Sequence, residues 1–148
     1  MKHELKTTFG KTYLTIEFDA AHGWIYNNWL GVIPSDTVVL GATQVLEVMR
    51  ETGCHYILND NRSVVGSWDQ ANDWIEQQWM PQALRLGLRR FAHVLSPGVF
   101  GRVSGEEMLR RVGDRFEMHL FDDVTAAQRW LREAQHQHTL VPGSATTV

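Results

Sequence analysis

The sequence predicts an α/β fold. The expected form is a two-layer β-α superhelix: an about five-stranded, mostly parallel sheet with an antiparallel N-terminal hairpin, and four helices mainly on one face. Three observations predict it. Tyr13 to Asp19 and Trp24 to Val32 read as strands joined only by Ala20-Ala21-His22-Gly23, which makes them an antiparallel hairpin. Helical and strand patterns then alternate, and that order gives parallel pairing through right-handed crossovers. Finally, 148 residues with 43% hydrophobic and 21% charged content suit one domain with a sizeable core.

The elements follow in order. In the first strand Leu14, Ile16 and Phe18 alternate with Tyr13, Thr15, Glu17 and Asp19, the period of a half-buried strand. Leu5 to Phe9 adds a marginal strand before Gly10. The second strand is aromatic-rich and is interrupted by Asn27-Asn28. Pro34-Ser35 stops it, and Asp36 favours the start of a helix. Val38, Ala42, Val45, Leu46 and Met49 recur at helical spacing up to Gly53, a C-cap residue. His55 to Asn59 reads as a short buried strand, followed by a polar turn Asp60-Asn61-Arg62-Ser63.

Ser67-x-x-Gln70 reads as a capping box opening a helix through Ala71, Trp74, Ile75 and Trp79. Pro81 is expected to kink or restart that helix, because its ring clashes with the carbonyl of Gln77. Phe91 to Leu95 is a strand, Ser96-Pro97-Gly98 a loop, and Ser104-x-x-Glu107 a second capping box. Phe116 to Phe121 alternates like an edge strand. Asp122 or Asp123 caps a last helix with Val124, Ala127, Trp130, Leu131 and Ala134 inward. One domain over residues 1–135 and a flexible C-terminal tail over 136–148 are expected.

With all crossovers on one side, the far face of the sheet lacks a helical cover. Parity places Tyr26, Tyr56, Leu58, Ala92 and Val94 toward the helices. It places Tyr13, Ile25, Asn27, Trp29, Ile57 and His93 on the bare face. An apolar bare face is a surface for self-association, unless the tail or the N-terminal segment folds over it or a doubly wound sheet covers it.

Composition excludes several function classes. A net charge of −3 argues against nucleic-acid binding, which needs a basic footprint. The single Cys54 rules out an internal disulfide framework. No run of about 18 apolar residues exists, so no membrane span is expected, and no signal peptide is visible. A cytoplasmic location follows. There is no Gly-x-Ser-x-Gly elbow, no Gly-x-Gly-x-x-Gly loop and no Walker A loop. Cys54 follows a helix C-terminus, where the dipole disfavours a thiolate. No catalytic residue and no cofactor are assigned, and the chain reads as a non-enzyme. His55, His93 and His119 fall on or beside three strands, but their spacing has no short-range ligand pattern, so no metal site is assigned.

Trp29-Leu30-Gly31, Asn59-Asp60-Asn61-Arg62, Trp79-x-Pro81 and the closing run Phe121-Asp122-Asp123-Val124-Thr125-Ala126-Ala127-Gln128-Arg129-Trp130-Leu131 occur in this order. Together they resemble the STAS-like, SpoIIAA-like superfamily, in particular its small stand-alone bacterial members. The likeness runs over roughly residues 10 to 135. It implies sequential strand order and a regulatory or protein-interaction role. Members that antagonise anti-sigma factors are switched by phosphorylation of a serine at the start of the helix after the central strand; Ser63 and Ser67 lie there in this chain. The family's Asp-Ser-Ser/Thr-Gly type loop is replaced by Asp60-Asn61-Arg62-Ser63.

The candidate ligand- or partner-binding residues are Asp60, Asn61, Arg62, Trp29 and Trp79. Arg62 offers a guanidinium for a carboxylate or phosphate, or else pairs with Asp60 or Asp69. The tryptophans serve as core or as the walls of an apolar pocket. The expected partners are a second copy of the chain, in a homo-oligomer such as a dimer, or another protein. The alternative function is a carrier or sensor of a small apolar or anionic ligand.

Overall fold

The sheet is built by strands that pair in the order the chain makes them. A computed structural model describes residues 1–140, with side chains to Gln137; residues 141–148, most of the expected tail, lie outside the described residues. The strands are β1 (Lys2–Lys6), β2 (Thr12–Asp19), β3 (Trp24–Gly31), β4 (Tyr56–Val64), β5 (Arg90–Val94) and β6 (Glu117–Phe121), ordered β1-β2-β3-β4-β5-β6. The first two pairings are antiparallel and the other three parallel. The marginal strand expected over Leu5 to Phe9 forms instead at Lys2–Lys6, with residues 7–10 in the turn to β2, so the sheet has six strands rather than about five.

Helix α1 (Ser35–Thr52) links β3 to β4, and Gly53 closes it in the left-handed region at φ 67°. Between β4 and β5 the chain runs through a 3₁₀ turn, Asp69–Ala71, then α2 (Asn72–Trp74), a π-helical segment Ile75–Trp79, and α3 (Met80–Arg85). The π segment is the local answer to Pro81. The Met80 N–H donates to the carbonyl of Ile75, five residues back, so the turn before Pro81 is widened rather than sharply broken. Helix α4 (Val99–Val112) links β5 to β6, and α5 (Val124–Leu140) follows β6. The last helix therefore runs through 136–140, where a flexible tail was expected.

All three parallel crossovers carry their helices to one face. There Leu14, Ile16, Ile25, Trp29, Ile57 and Phe91 of the sheet pack with Val38, Val45, Leu46 and Met49 of α1 and with Ile75, Trp79, Met80 and Met108. Helix α5 ends no crossover, so handedness does not confine it to that face. It lies on the other side, where Ala127 and Leu131 pack on Trp24, Leu58, Ala92 and Val94.

This corrects the expected parity. Leu14 pairs with Trp29 and Ile16 with Asn27, which turns Ile25, Asn27, Trp29, Ile57 and His93 toward the crossover helices. Tyr13 also turns inward, because the β1–β2 register shifts at Leu5/Lys6, and its ring lies 6.5 Å from that of Trp29. The outer face of β1 to β3 instead presents cross-strand pairs such as Lys2–Glu17 and Glu4–Thr15. It is polar, not an apolar patch.

The two capping boxes are also displaced. Helix α4 begins at Val99, so Ser104 is mid-helix and fully buried rather than a cap. Ser67 makes a local turn instead, accepting the Asp69 N–H at 3.1 Å. Asp123 does cap α5, accepting the Ala126 N–H at 2.8 Å. Arg111 of α4 fastens the π region, donating to Asp73 at 2.6 Å and to Glu76 at 3.2 Å.

Gly41 sets how closely α1 approaches the sheet. A Cβ there would lie 2.5 Å from Cη2 of Trp29 and 2.8 Å from Cδ2 of Leu14. Gly41→Ala is therefore expected to destabilise the fold by about 1–3 kcal/mol through overpacking. Urea unfolding of both forms checks this; an unchanged midpoint would show that α1 is not held at this distance.

Candidate functional site

Asparagine usually leaves strands for turns, because its amide competes for backbone hydrogen bonds. Here a row of polar side chains stays in the sheet, because each finds its partner on the next strand. Asn27 of β3 pairs in register with Asn59 of β4, and Asn59 with His93 of β5. All three are buried and face the crossover helices.

Asn59 is the hub. Its Oδ1 accepts from Nε1 of Trp29 at 3.0 Å and from Nδ2 of Asn27 at 3.4 Å. Its Nδ2 donates to Oδ1 of Asn61 at 3.4 Å and to Nδ1 of His93 at 3.1 Å. The orientations follow from chemistry. An indole N–H only donates, so Trp29 fixes which atom of Asn59 accepts. The Asn27 atom facing that oxygen must then be its NH₂, and Nδ1 of His93 must accept, leaving the proton on Nε2. Burial lowers the pKa of His93 to about 4, partly offset by the charge of Asp60, so the ring is neutral at pH 7. Its Nε2 edge faces α4 at Gly105, where an added Cβ would stand 3.4 Å from it.

Above the amide row lies a cavity between the sheet, α1, the π segment and α4. Its volume is about 50 Å³, and it opens in part to solvent. Trp29, Trp68, Trp79 and Phe91 supply aromatic walls. Ile33, Val38, Ala42, Val45, Ile75 and Met108 supply aliphatic ones, and Asn27, Asn59 and Asn61 the polar floor. Trp79 is held in place by donating from Nε1 to the carbonyl of Ala42 at 2.9 Å. Two lining residues carry a polar atom with no partner among the described residues: Oδ1 of Asn27 and Nε1 of Trp68.

Of the five candidate binding residues, Asn61, Trp29 and Trp79 meet at this cavity. Asp60 and Arg62 do not. The expected turn at 60–63 is strand: β4 continues to Val64, with a bulge opposite Asn28 to Leu30. Asp60 points to the other face, where its carboxylate accepts from the Tyr26 hydroxyl at 2.6 Å and from Nη2 and Nε of Arg62 at 2.9 and 3.0 Å. Burial raises the Asp60 pKa, but the hydrogen bonds from Arg62 and Tyr26 outweigh it and hold the group below its ordinary value. Burial and the bond to Asp60 push the Tyr26 phenol up to about 12. Arg62 is thus committed to Asp60, with its outer edge at a surface groove formed with Val99, Arg102 and Asp122.

The serines differ in setting. Ser63 is exposed on β4, in register with Leu30. Ser67 is exposed on the following loop, with its hydroxyl 3.1 Å from that of buried Ser104. The Ser104 hydroxyl also accepts the Trp68 N–H at 3.2 Å. Asn27, Asn59 and Trp68 were absent from the sequence-based candidates. The spacing of Asn59 and Asn61, two apart directly after the apolar run Tyr56-Ile57-Leu58, is the one signal pointing to an inward amide pair.

The remaining titratable groups offer little chemistry. Cys54 is buried, its thiol donating to the carbonyls of Gly23 and Tyr56, and burial pushes its pKa up. His93 and His119 face opposite sides of the sheet, His119 stacking on Trp130 with ring centroids 4.4 Å apart. Among the described residues no group of three His, Cys, Asp or Glu side chains is placed to hold a metal ion, and no helix is long and apolar enough to cross a membrane.

No family model matches the chain, and no curated protein does. Among solved structures it is similar to that of the anti-sigma factor antagonist SpoIIAA in its unphosphorylated form. The TM-score is 0.52 at 10% sequence identity, over 86% of this chain and 99% of that one. The shared feature is the fold, a STAS-like arrangement of strands and helices.

The buried imidazole gives a test of the amide row. His93 resists protonation down to about pH 4 in the folded chain, whereas an unfolded chain takes up the proton near pH 6.5. The unfolded state binds more protons in that window, so stability falls as pH drops from 6.5 toward 4. The expected loss is about 3 kcal/mol. Denaturation across this range checks it, and His93→Gln should flatten the profile. A wild-type stability that stays level there would rule out a neutral, buried His93.

Proposed function

We propose that this STAS-like chain is a non-enzymatic regulatory or protein-interaction module of the cytoplasm, and that it self-associates as a dimer. The observation that carries this reading is an apolar stripe at the start of α4. Val99, Phe100 and Val103 are 72%, 68% and 50% exposed, on one face of the helix and at the carboxyl end of the parallel strands. Beside it the groove of Arg62, Arg102 and Asp122 adds polar partners at the rim, the usual anatomy of a docking surface. The buried, unactivated Cys54 and the neutral His93 support a role without catalysis.

Ser67 is the better placed of the two serines for modification. A phosphate there would replace its contact with Ser104, next to the loop that carries Trp68. A second reading, a carrier or sensor of a small ligand, is favoured by the cavity and its unpartnered Asn27 and Trp68 atoms.

Sedimentation of the full chain at tens of micromolar is expected to give a mass about twice 17.0 kDa. Phe100→Ser with Val103→Ser should return it to the monomer with little change in melting temperature, since both side chains are at least half exposed. A wild-type chain that stays monomeric under these conditions would end the self-association reading.

A further inference from the structure

We infer that the cavity beneath α1 and the π segment is a binding site for a small, uncharged molecule that carries a hydroxyl or primary amide on a compact apolar ring or short chain. The inference deepens the second reading above and rests on it.

Three observations set the ligand's chemistry. The first is polarity. The cavity walls are aromatic and aliphatic, but two of its lining residues carry a polar atom with no partner among the described residues: the acceptor Oδ1 of Asn27 and the donor Nε1 of Trp68. Both residues are more than nine-tenths buried, at 2% and 6% exposure. The bond from Trp29 to Asn59 fixes the Asn27 amide, so its free atom is the acceptor rather than the NH₂. Leaving a buried donor and a buried acceptor unpaired costs about 1–3 kcal/mol each, and a group that donates to one and accepts from the other recovers that. Hydroxyls and primary amides do both.

The second observation is charge. No Asp, Glu, Lys, Arg or His is among the lining residues. An anion or cation would enter without a counterion, at a cost that apolar contacts do not offset. This removes the anionic class that Arg62 suggested, since Arg62 faces the other side of the sheet and is bound to Asp60. The third is size. The space open to water-sized atoms is about 50 Å³, which suits a small ring or a short chain and not a long acyl chain.

The test uses the full-length chain and three probes: phenol, toluene and benzoate, the last ionised at neutral pH. The readout is the indole N–H resonance of Trp68, assigned in a ¹⁵N-labelled sample with Trp68→Phe. Phenol is expected to shift that resonance saturably, with a Kd about tenfold or more below that of toluene, and benzoate to leave it in place. Asn27→Leu should erase the preference of phenol over toluene. If that variant does not fold, Trp68→Phe read through the remaining indole resonances serves the same purpose by removing the donor. Equal binding of phenol and toluene, or tightest binding by benzoate, would overturn the ligand class while leaving the cavity a site. No shift with any probe would overturn the site itself, and the cavity would then hold water only.

Discussion

The hydrogen bond from the indole of Trp29 to Oδ1 of Asn59 is the constraint from which the interior of this sheet is ordered. Because the indole has no acceptor, it leaves Asn59 one orientation, and Asn59 then uses both lone pairs and both amide hydrogens. Three strands are stitched through one side chain. The consequence passes outward in two directions: to β5, where it decides which nitrogen of His93 carries the proton, and to β3, where it leaves the Asn27 carbonyl oxygen without a partner among the described residues. A buried polar network is stabilising only where its members are satisfied. This one is complete at its hub and incomplete at its margins, and the margins are where the cavity lies.

Much of the fold was legible because the hydrophobic periods were clean. The hairpin, α1 with its glycine cap, and the inward face of α5 read directly from spacing. The sheet parity failed because strand register, not local pattern, sets which face Ile25, Trp29 and Ile57 take; the polar segments failed because their residues were taken at their usual roles. Asp60, Asn61 and Arg62 read as a turn because Asp and Asn commonly close turns with their own side chains. In the folded chain Asn61 bonds Asn59, and Asp60 bonds Tyr26, so the strand runs through them. Ser104-x-x-Glu107 read as a helix start, but the hydroxyl serves Ser67 and Trp68 across space, and the helix began at Val99. The site was half legible for the same reason. Trp29, Asn61 and Trp79 stand out by type, whereas Asn27 and Trp68 matter through register and a loop contact that no local pattern encodes.

Cavity and surface meet at Trp68. Its ring forms part of the cavity wall, its backbone N–H is bound to Ser104, and its neighbour Ser67 stands at the surface on the same hydroxyl. The apolar stripe of α4 begins five residues before that serine, counting from Val99 to Ser104. The cavity wall and the exposed apolar stripe therefore share one short loop and one helix.

Strand order that follows chain order has a kinetic side. Each strand joins the one made just before it, so every pairing closes only the connection between consecutive strands, two of them tight and three of them helical crossovers. Such a queue also risks stopping partway, with a β3–β4 pair persisting as an open edge. The amide row works against that halt. Until β5 arrives, the Nδ2 of Asn59 lacks His93 and the Trp29 anchor holds a half-used side chain. The full set of hydrogen bonds to Asn59 therefore exists only when all three strands are in place.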